Sequence, residues 1–78
     1  MFYSPMKLAI EEAKIAGLLG EIPVGALVIN KNNEIVARGH NLNRSLHDPS
    51  AHAEIIAIRR ACAKLQTERL IGCSMYVT

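Results

Sequence analysis

Apolar positions along the chain fall into runs of different period, separated by turn-forming segments. Ser4-Pro5 reads as a helix start, with Ser at the N-cap and Pro at N1. Met6, Ala9, Ile10, Ala13 and Ala16 then recur at helical spacing, with Glu11 and Glu12 off that stripe. Gly17 or Gly20 is the natural stop, so the pattern predicts a helix over residues 5–19. Val24 to Ile29 is an unbroken apolar run behind Pro23, and Asn30-Lys31-Asn32-Asn33 carries turn chemistry. Glu34 to Arg38 is a second β run, and the two together predict a hairpin. Gly25, inside the first strand, predicts close approach of another backbone or of a ligand.

Gly39 to Asp48 is polar and reads as a loop. Asp48-Pro49-Ser50 opens a second helix that runs to about Leu65. Ile55, Ile58 and Cys62 form its apolar stripe, and Ile56 and Arg60 lie off it. Gly72 precedes a last strand over residues 74–78. The order αββαβ implies a layered α/β sheet with further elements downstream. Because the last run reads as a core strand with nothing after it, residues 1–78 are expected to be the N-terminal part of one longer domain.

Composition narrows the class. The 78 residues include 9 Lys+Arg and 7 Asp+Glu, a net charge of +2. Half the residues are apolar, which excludes a disordered chain. So short a domain buries only about 60% of its unfolded surface, and small domains usually add disulfides, metal or association. Two cysteines are too few for a disulfide framework. No signal-peptide pattern precedes them, so a reducing, cytoplasmic setting is expected. Glu21, Pro23 and Gly25 break the longest apolar stretches, well short of the roughly 20 residues of a membrane span. The basic residues are scattered apart from Arg59-Arg60, which reads as a solvated helix face.

The candidate chemistry lies at the start of the second helix. His52-Ala53-Glu54 places an imidazole and a carboxylate within one helical turn. A neutral imidazole is a good zinc ligand, and a nearby carboxylate can take a proton from water activated by a metal. The helix N-terminus adds positive potential that favours developing negative charge. The same tripeptide also suits a packed histidine and a carboxylate answering the helix dipole. Asn41 reads equally as a turn residue and Val24 as core. His40 and His47 read as solvated loop histidines, and Cys62 as core.

Further motifs surround that tripeptide. Pro23-Val24-Gly25-Ala26 opens the first strand, Asn41 follows the second, and His47-Asp48-Pro49-Ser50-Ala51-His52-Ala53-Glu54 leads into the helix. Tyr76-Val77-Thr78 closes the last strand. Over about residues 5–78 this combination resembles the zinc-dependent nucleoside and nucleobase deaminases, and within them the bacterial tRNA-specific adenosine deaminases. Guanine deaminases of the superfamily share the Asp-Pro-x-Ala-His-Ala-Glu run; Glu21 to Ala26 and the Tyr-Val-Thr ending favour the tRNA enzymes. The resemblance implies a three-layer α/β/α cytidine-deaminase-like fold, cut off after the third strand. It implies His52 as a zinc ligand and Glu54 as the proton shuttle. It implies Asn41 as a hydrogen-bond partner of a flipped-out base, Val24 as a wall of the base pocket, and the Ala53 N–H as a partner for a ring atom. The reaction implied is hydrolysis of adenosine to inosine at the tRNA wobble position, by a homodimer that binds the anticodon loop.

The resemblance also implies two further zinc ligands, from a Pro-Cys-x-x-Cys motif just beyond the Tyr-Val-Thr strand. Neither is within residues 1–78. Cys62 lies ten residues along the helix from His52, about 15 Å away at the helical rise. Cys73 precedes the last strand, at the end opposite the expected site. Neither reaches an ion held by His52, so residues 1–78 alone are expected to be inactive. Two other readings remain open: a deaminase of free guanine, cytosine or cytidine, and a non-catalytic fragment or partner subunit of the same fold.

Overall fold

The computed structural model describes residues 4–78. Two helices, α1 (Pro5–Leu18) and α2 (Ala53–Leu65), flank three strands, β1 (Gly25–Ile29), β2 (Ile35–His40) and β3 (Ser74–Val77). The strand order is β2-β1-β3. Both outer strands pair antiparallel with β1. β2 and β3 therefore run parallel to each other, and α2 carries the chain across β1 to connect them.

β1 is buried along its whole length because both its faces are covered. Leu27 and Ile29 pack with Ala9 of α1, whereas Ala26 and Val28 pack with Ala53, Ala57 and Ala61 of α2. The expected three layers are thus present, and the unbroken apolar run of β1 follows from a strand with no solvent face. β2 carries a bulge: Val28 pairs with Ala37 but Ile29 pairs with Ile35. The extra residue, Val36, lets Ile35 join the α1 side while Val36 and Ala37 both join the α2 side.

The first helix begins as expected, with Ser4 Oγ accepting from the Lys7 N–H at 3.3 Å. It ends one residue early, and Gly20, at φ +79°, is the stop rather than Gly17. The Glu21 N–H then donates back to the Ala16 carbonyl at 2.9 Å, which closes the helix end.

Its buried face differs from the expected stripe. Met6 and Ile10 are exposed, and Glu12 is buried with Ala9, Ala13 and Ala16. Gly25 explains the rotation. A Cβ there would land on the Ala9 carbonyl oxygen and within 2.6 Å of Ala13 N. The approaching backbone that Gly25 implied is therefore that of α1.

The second helix also departs from its expected form. It starts at Ala53, not at Asp48–Ser50, and His52 is its N-cap. Asp48-Pro49-Ser50 instead forms a side-chain turn, in which Asp48 Oδ1 accepts from the Ser50 N–H at 2.9 Å and from its hydroxyl at 2.7 Å. The buried face is Ala53, Ile56, Ala57 and Ala61, while Ile55, Ile58 and Cys62 are half-buried. Close packing selects the small residues. A Cβ on Gly39 would meet the Ala53 carbonyl oxygen at 2.6 Å and Ala57 N at 2.7 Å. β2 extends to His40, two residues past its expected end, so Gly39 and His40 belong to the strand and not to the loop.

Candidate active site

The sheet presents the N-terminal end of β1 beside the C-terminal ends of β2 and β3. Three ties hold this rim. The Asn41 N–H donates to the Val24 carbonyl at 3.2 Å, and the Thr78 N–H to the Gly25 carbonyl at 3.0 Å. The Gly25 N–H donates to Thr78 Oγ1 at 3.0 Å. Val24 and Asn41, singled out separately in the sequence, are therefore neighbours here.

Asn41 joins this rim to the start of α2. Its Oδ1 accepts from the Ala53 N–H at 2.7 Å, a buried bond between residues twelve apart. The Leu42 N–H donates to the Ala51 carbonyl at 2.9 Å, so the loop and the approach to the helix run side by side. Asn41 thus supplies the cap that an N-cap side chain normally supplies. His52 makes no side-chain capping bond, although it occupies that position.

This arrangement leaves His52 exposed and Glu54 half-buried in the first turn, and neither side chain has a hydrogen-bond partner among the described residues. Asn41 is 3% exposed. Because the Ala53 N–H requires an acceptor, the amide oxygen faces the helix and Nδ2 faces away. Nδ2 has no partner among the described residues and is not sealed from solvent. The Ala53 N–H, expected to hold a ring atom, is already donated to Asn41. The free donor at this position is the Asn41 NH2.

Zinc does not fit the described residues by themselves. A tetrahedral protein site needs at least three protein ligands. Among the described residues no three His, Cys, Asp or Glu side chains converge. His52 is a lone donor on the rim.

Several polar residues shape the site without having been legible as site residues. His40, expected to be solvated, is held in β2, and its Nδ1–H donates to Glu12 Oε1 at 2.8 Å. Asn43 Nδ2 donates to the carbonyls of Asp48 and Pro49 at 3.0 and 3.1 Å. Asp48 also faces Arg59 Nη1 at 3.7 Å. Glu21 is 5% exposed and binds the loop after β2. It accepts from Arg44 N–H at 3.0 Å, from Ser45 N–H at 2.7 Å and from the Ser45 hydroxyl. Asp48-Pro49-Ser50, expected to open the helix, instead forms the turn that these contacts hold. His47 is exposed, as expected, with φ +51°.

The Ser45 hydroxyl, followed by the Arg44 and Ser45 amides, holds the Glu21 carboxyl below the usual carboxylate range. The Ser50 hydroxyl and amide do the same for Asp48. A depressed carboxylate stabilises the fold above its unfolded pKa, and that contribution disappears as pH falls through the folded value. Protection of the Ser45 and Ser50 amides, measured as exchange relative to the intrinsic rate at each pH, is therefore expected to be full at neutral pH and to fall progressively as pH drops below the ordinary carboxylate pKa. Loss of protection that begins near neutrality would contradict this assignment.

The model for the cytidine and deoxycytidylate deaminase zinc-binding region matches residues 3–78. A tRNA-specific adenosine deaminase of Aquifex aeolicus is 49% identical over 94% of this chain and 48% of its own length. That of Bacillus subtilis is 49% identical over 94% of this chain and 45% of its own. The chain thus spans about half the length of the curated relatives it matches. A solved structure from work on A-to-I editing by tRNA:A34 deaminases superposes with a TM-score of 0.91. It is 46% identical, over 95% of this chain and 56% of its own. A guanine deaminase of Bacillus subtilis superposes with a TM-score of 0.88 at 35% identity, over 94% of this chain and 46% of its own.

Proposed function

This chain belongs to the cytidine and deoxycytidylate deaminase family, and on that premise we propose that the protein hydrolyses adenosine to inosine at the wobble position of a tRNA. The observation that carries the reading is the cap exchange at the start of α2. Asn41 Oδ1 satisfies the Ala53 N–H and so ties its carboxamide to the turn that carries His52 and Glu54, whose side chains have no hydrogen-bond partner among the described residues. A deaminase needs a proton-transfer group and a donor that orients the ring in one place. The resemblance to tRNA adenosine deaminases supports the choice of substrate.

In this reading Glu54 takes a proton from the attacking water and passes it to the ring nitrogen, then takes the second proton from the hydroxyl now on the ring carbon and passes it to the departing amine. Water's oxygen replaces the amine, which leaves as ammonia. The Asn41 NH2 donates to an acceptor on the base, and Val24 forms an apolar wall beside it. His52 contributes one ligand to the zinc site implied by the family, which other residues must complete. The protein works as a homodimer on the anticodon loop, where an unpaired base is easily extruded. A cytoplasmic setting agrees with the two free cysteines. Among the described residues no helix is long and apolar enough to cross a membrane.

The test is inosine formation in an anticodon stem-loop by the complete protein, with free guanine and cytidine as competitors. Inosine and ammonia should form in equal amounts. Glu54→Gln should lower kcat by about a hundredfold or more, the usual scale for a general acid–base group. Full activity in Glu54→Gln would remove its role. Ammonia from free guanine alone would favour the second reading, a guanine deaminase, which the superposition on the Bacillus subtilis enzyme also supports.

A further inference from the structure

The loop that carries Asn41 is anchored at its far side by a carboxylate that the proposed chemistry does not use. Glu21 lies just past the end of α1, and its side chain is almost wholly buried. Both of its oxygens are engaged. Oε1 accepts from the Arg44 N–H, and Oε2 accepts from the N–H and hydroxyl of Ser45. The Arg44 side chain returns to the same place, with Nη1 donating to the Gly20 carbonyl at 3.0 Å. The loop tip is thus clamped to the segment that leads into β1.

Both clamped segments lead directly to the rim of the site. From Glu21 the chain passes through Ile22 and Pro23 to Val24, whose carbonyl accepts from the Asn41 N–H. From Ser45 it runs back through Asn43 to Asn41. On the other side, Asn43 Nδ2 and the Leu42 N–H fasten the loop to the 48–51 segment that precedes His52. A groove lined by Leu19, Gly20, Glu21, Arg44, Ser45 and His47 runs along the clamp. Charge-assisted hydrogen bonds such as these are stronger than neutral ones. A buried carboxylate deprived of them would be costly, so loop and carboxylate stabilise each other.

We propose that Glu21 is a positioning residue for substrate binding: it closes the 41–47 loop onto the entry of β1 and thereby fixes the Asn41 carboxamide against the Ala53 N–H. This inference rests on the reading of the site as a tRNA adenosine deaminase. Glu21 touches no substrate. It acts by holding the donor amide of Asn41 and the exposed side chains of Arg44 and His47 in one arrangement before the base arrives.

The test compares Glu21→Gln and Ser45→Ala with the parent in the complete protein. Gln keeps the size but replaces one acceptor oxygen with a donor that opposes an N–H. Ser45→Ala removes a single bond from the other side and leaves the charge in place. Two readouts are needed. Amide hydrogen exchange at Arg44, Ser45 and Ala53 is expected to accelerate about tenfold or more in Glu21→Gln and less in Ser45→Ala, in line with the loss of bonds to a charged group. KM for the anticodon stem-loop should rise by a similar factor, with kcat within about twofold of the parent, because the proton-transfer group is untouched.

Unchanged exchange at Ala53 in Glu21→Gln would overturn the proposal, whatever the enzyme's activity. Faster exchange with unaltered KM, or a fall in kcat alone, would overturn it too. A parent protein inactive on the stem-loop would instead defeat the reading of the function, and the exchange at Ala53 would still decide the role of Glu21.

Discussion

Gly25→Ala and Gly39→Ala are each expected to lower folding stability by about 3 kcal/mol or more, at or beyond the upper end of the usual range for overpacking. At both positions the new methyl meets backbone, which cannot rotate aside as a side chain can. At Gly25 it lands on the carbonyl oxygen of Ala9, with Ala13 N also within 2.6 Å. At Gly39 it sits 2.6 Å from the Ala53 carbonyl and 2.7 Å from Ala57 N. A whole helix must therefore shift from the sheet, and the alanines at the contact lose their packing. The two variants differ in what moves. Gly25→Ala displaces α1, whereas Gly39→Ala displaces the first turn of α2, which carries Glu54. Gly17→Ala is the control, because its methyl would lie at an ordinary 3.6 Å from Pro23 Cβ. It should stabilise by about 0.5–1 kcal/mol, since alanine outranks glycine inside a helix. Chemical denaturation of the complete protein measures all three. A cost below about 1 kcal/mol for either strand variant would show that the helices yield more easily than this packing implies.

Two substitutions at Asn41 should separate its two bonds. Asn41→Ala leaves the buried Ala53 N–H without an acceptor, and is expected to cost about 1–3 kcal/mol of stability. Asn41→Asp keeps an acceptor oxygen in that place and puts a negative charge at a helix N-terminus, where it is favoured. Its stability should match or exceed that of the parent. The donor amide is gone in both. Both variants should therefore lose about a hundredfold or more in kcat/KM, the consequence of removing a hydrogen bond around which a site is built. A stable but active Asn41→Asp protein would show that the amide only caps the helix. Equal destabilisation by both substitutions would show that the cap bond is not the stabilising contact.

Much of this arrangement is legible in the sequence, because the cues are local. Pro after Ser, alternating and continuous apolar runs, and a glycine stop at Gly17 or Gly20 each act within a few residues. The strand glycine announced a close approach, and His52-Ala53-Glu54 announced an imidazole and a carboxylate at the start of a helix. What escaped was set by partners far along the chain. Glu12 reads as a surface acid until His40, twenty-eight residues on, supplies its hydrogen bond. His52 reads as helical until Asn41 takes the cap from across the loop. The stripe of α2 misled for a different reason. Hydrophobic periodicity weighs bulky residues most heavily, so Ile55, Ile58 and Cys62 stood out. Contact with Gly39 instead selects residues small enough for backbone to meet backbone, and Ala53 and Ala57 meet that requirement.

The bulge in β2 constrains how the gene can change length. Val36 is the residue that shifts the pairing by one. Beyond it the strand alternates, so that Gly39 meets α2 while His40 meets Glu12 of α1. A codon lost or gained between Val36 and Asn41 would exchange those faces. A loss would drive His40 against the backbone of α2, a gain ahead of Gly39 would drive Arg38 there, and either would turn Asn41 away from Ala53. The same event within Asn30–Asn33 falls in the turn and leaves every face as it was. Insertions and deletions that survive selection in this hairpin should therefore collect at its tip.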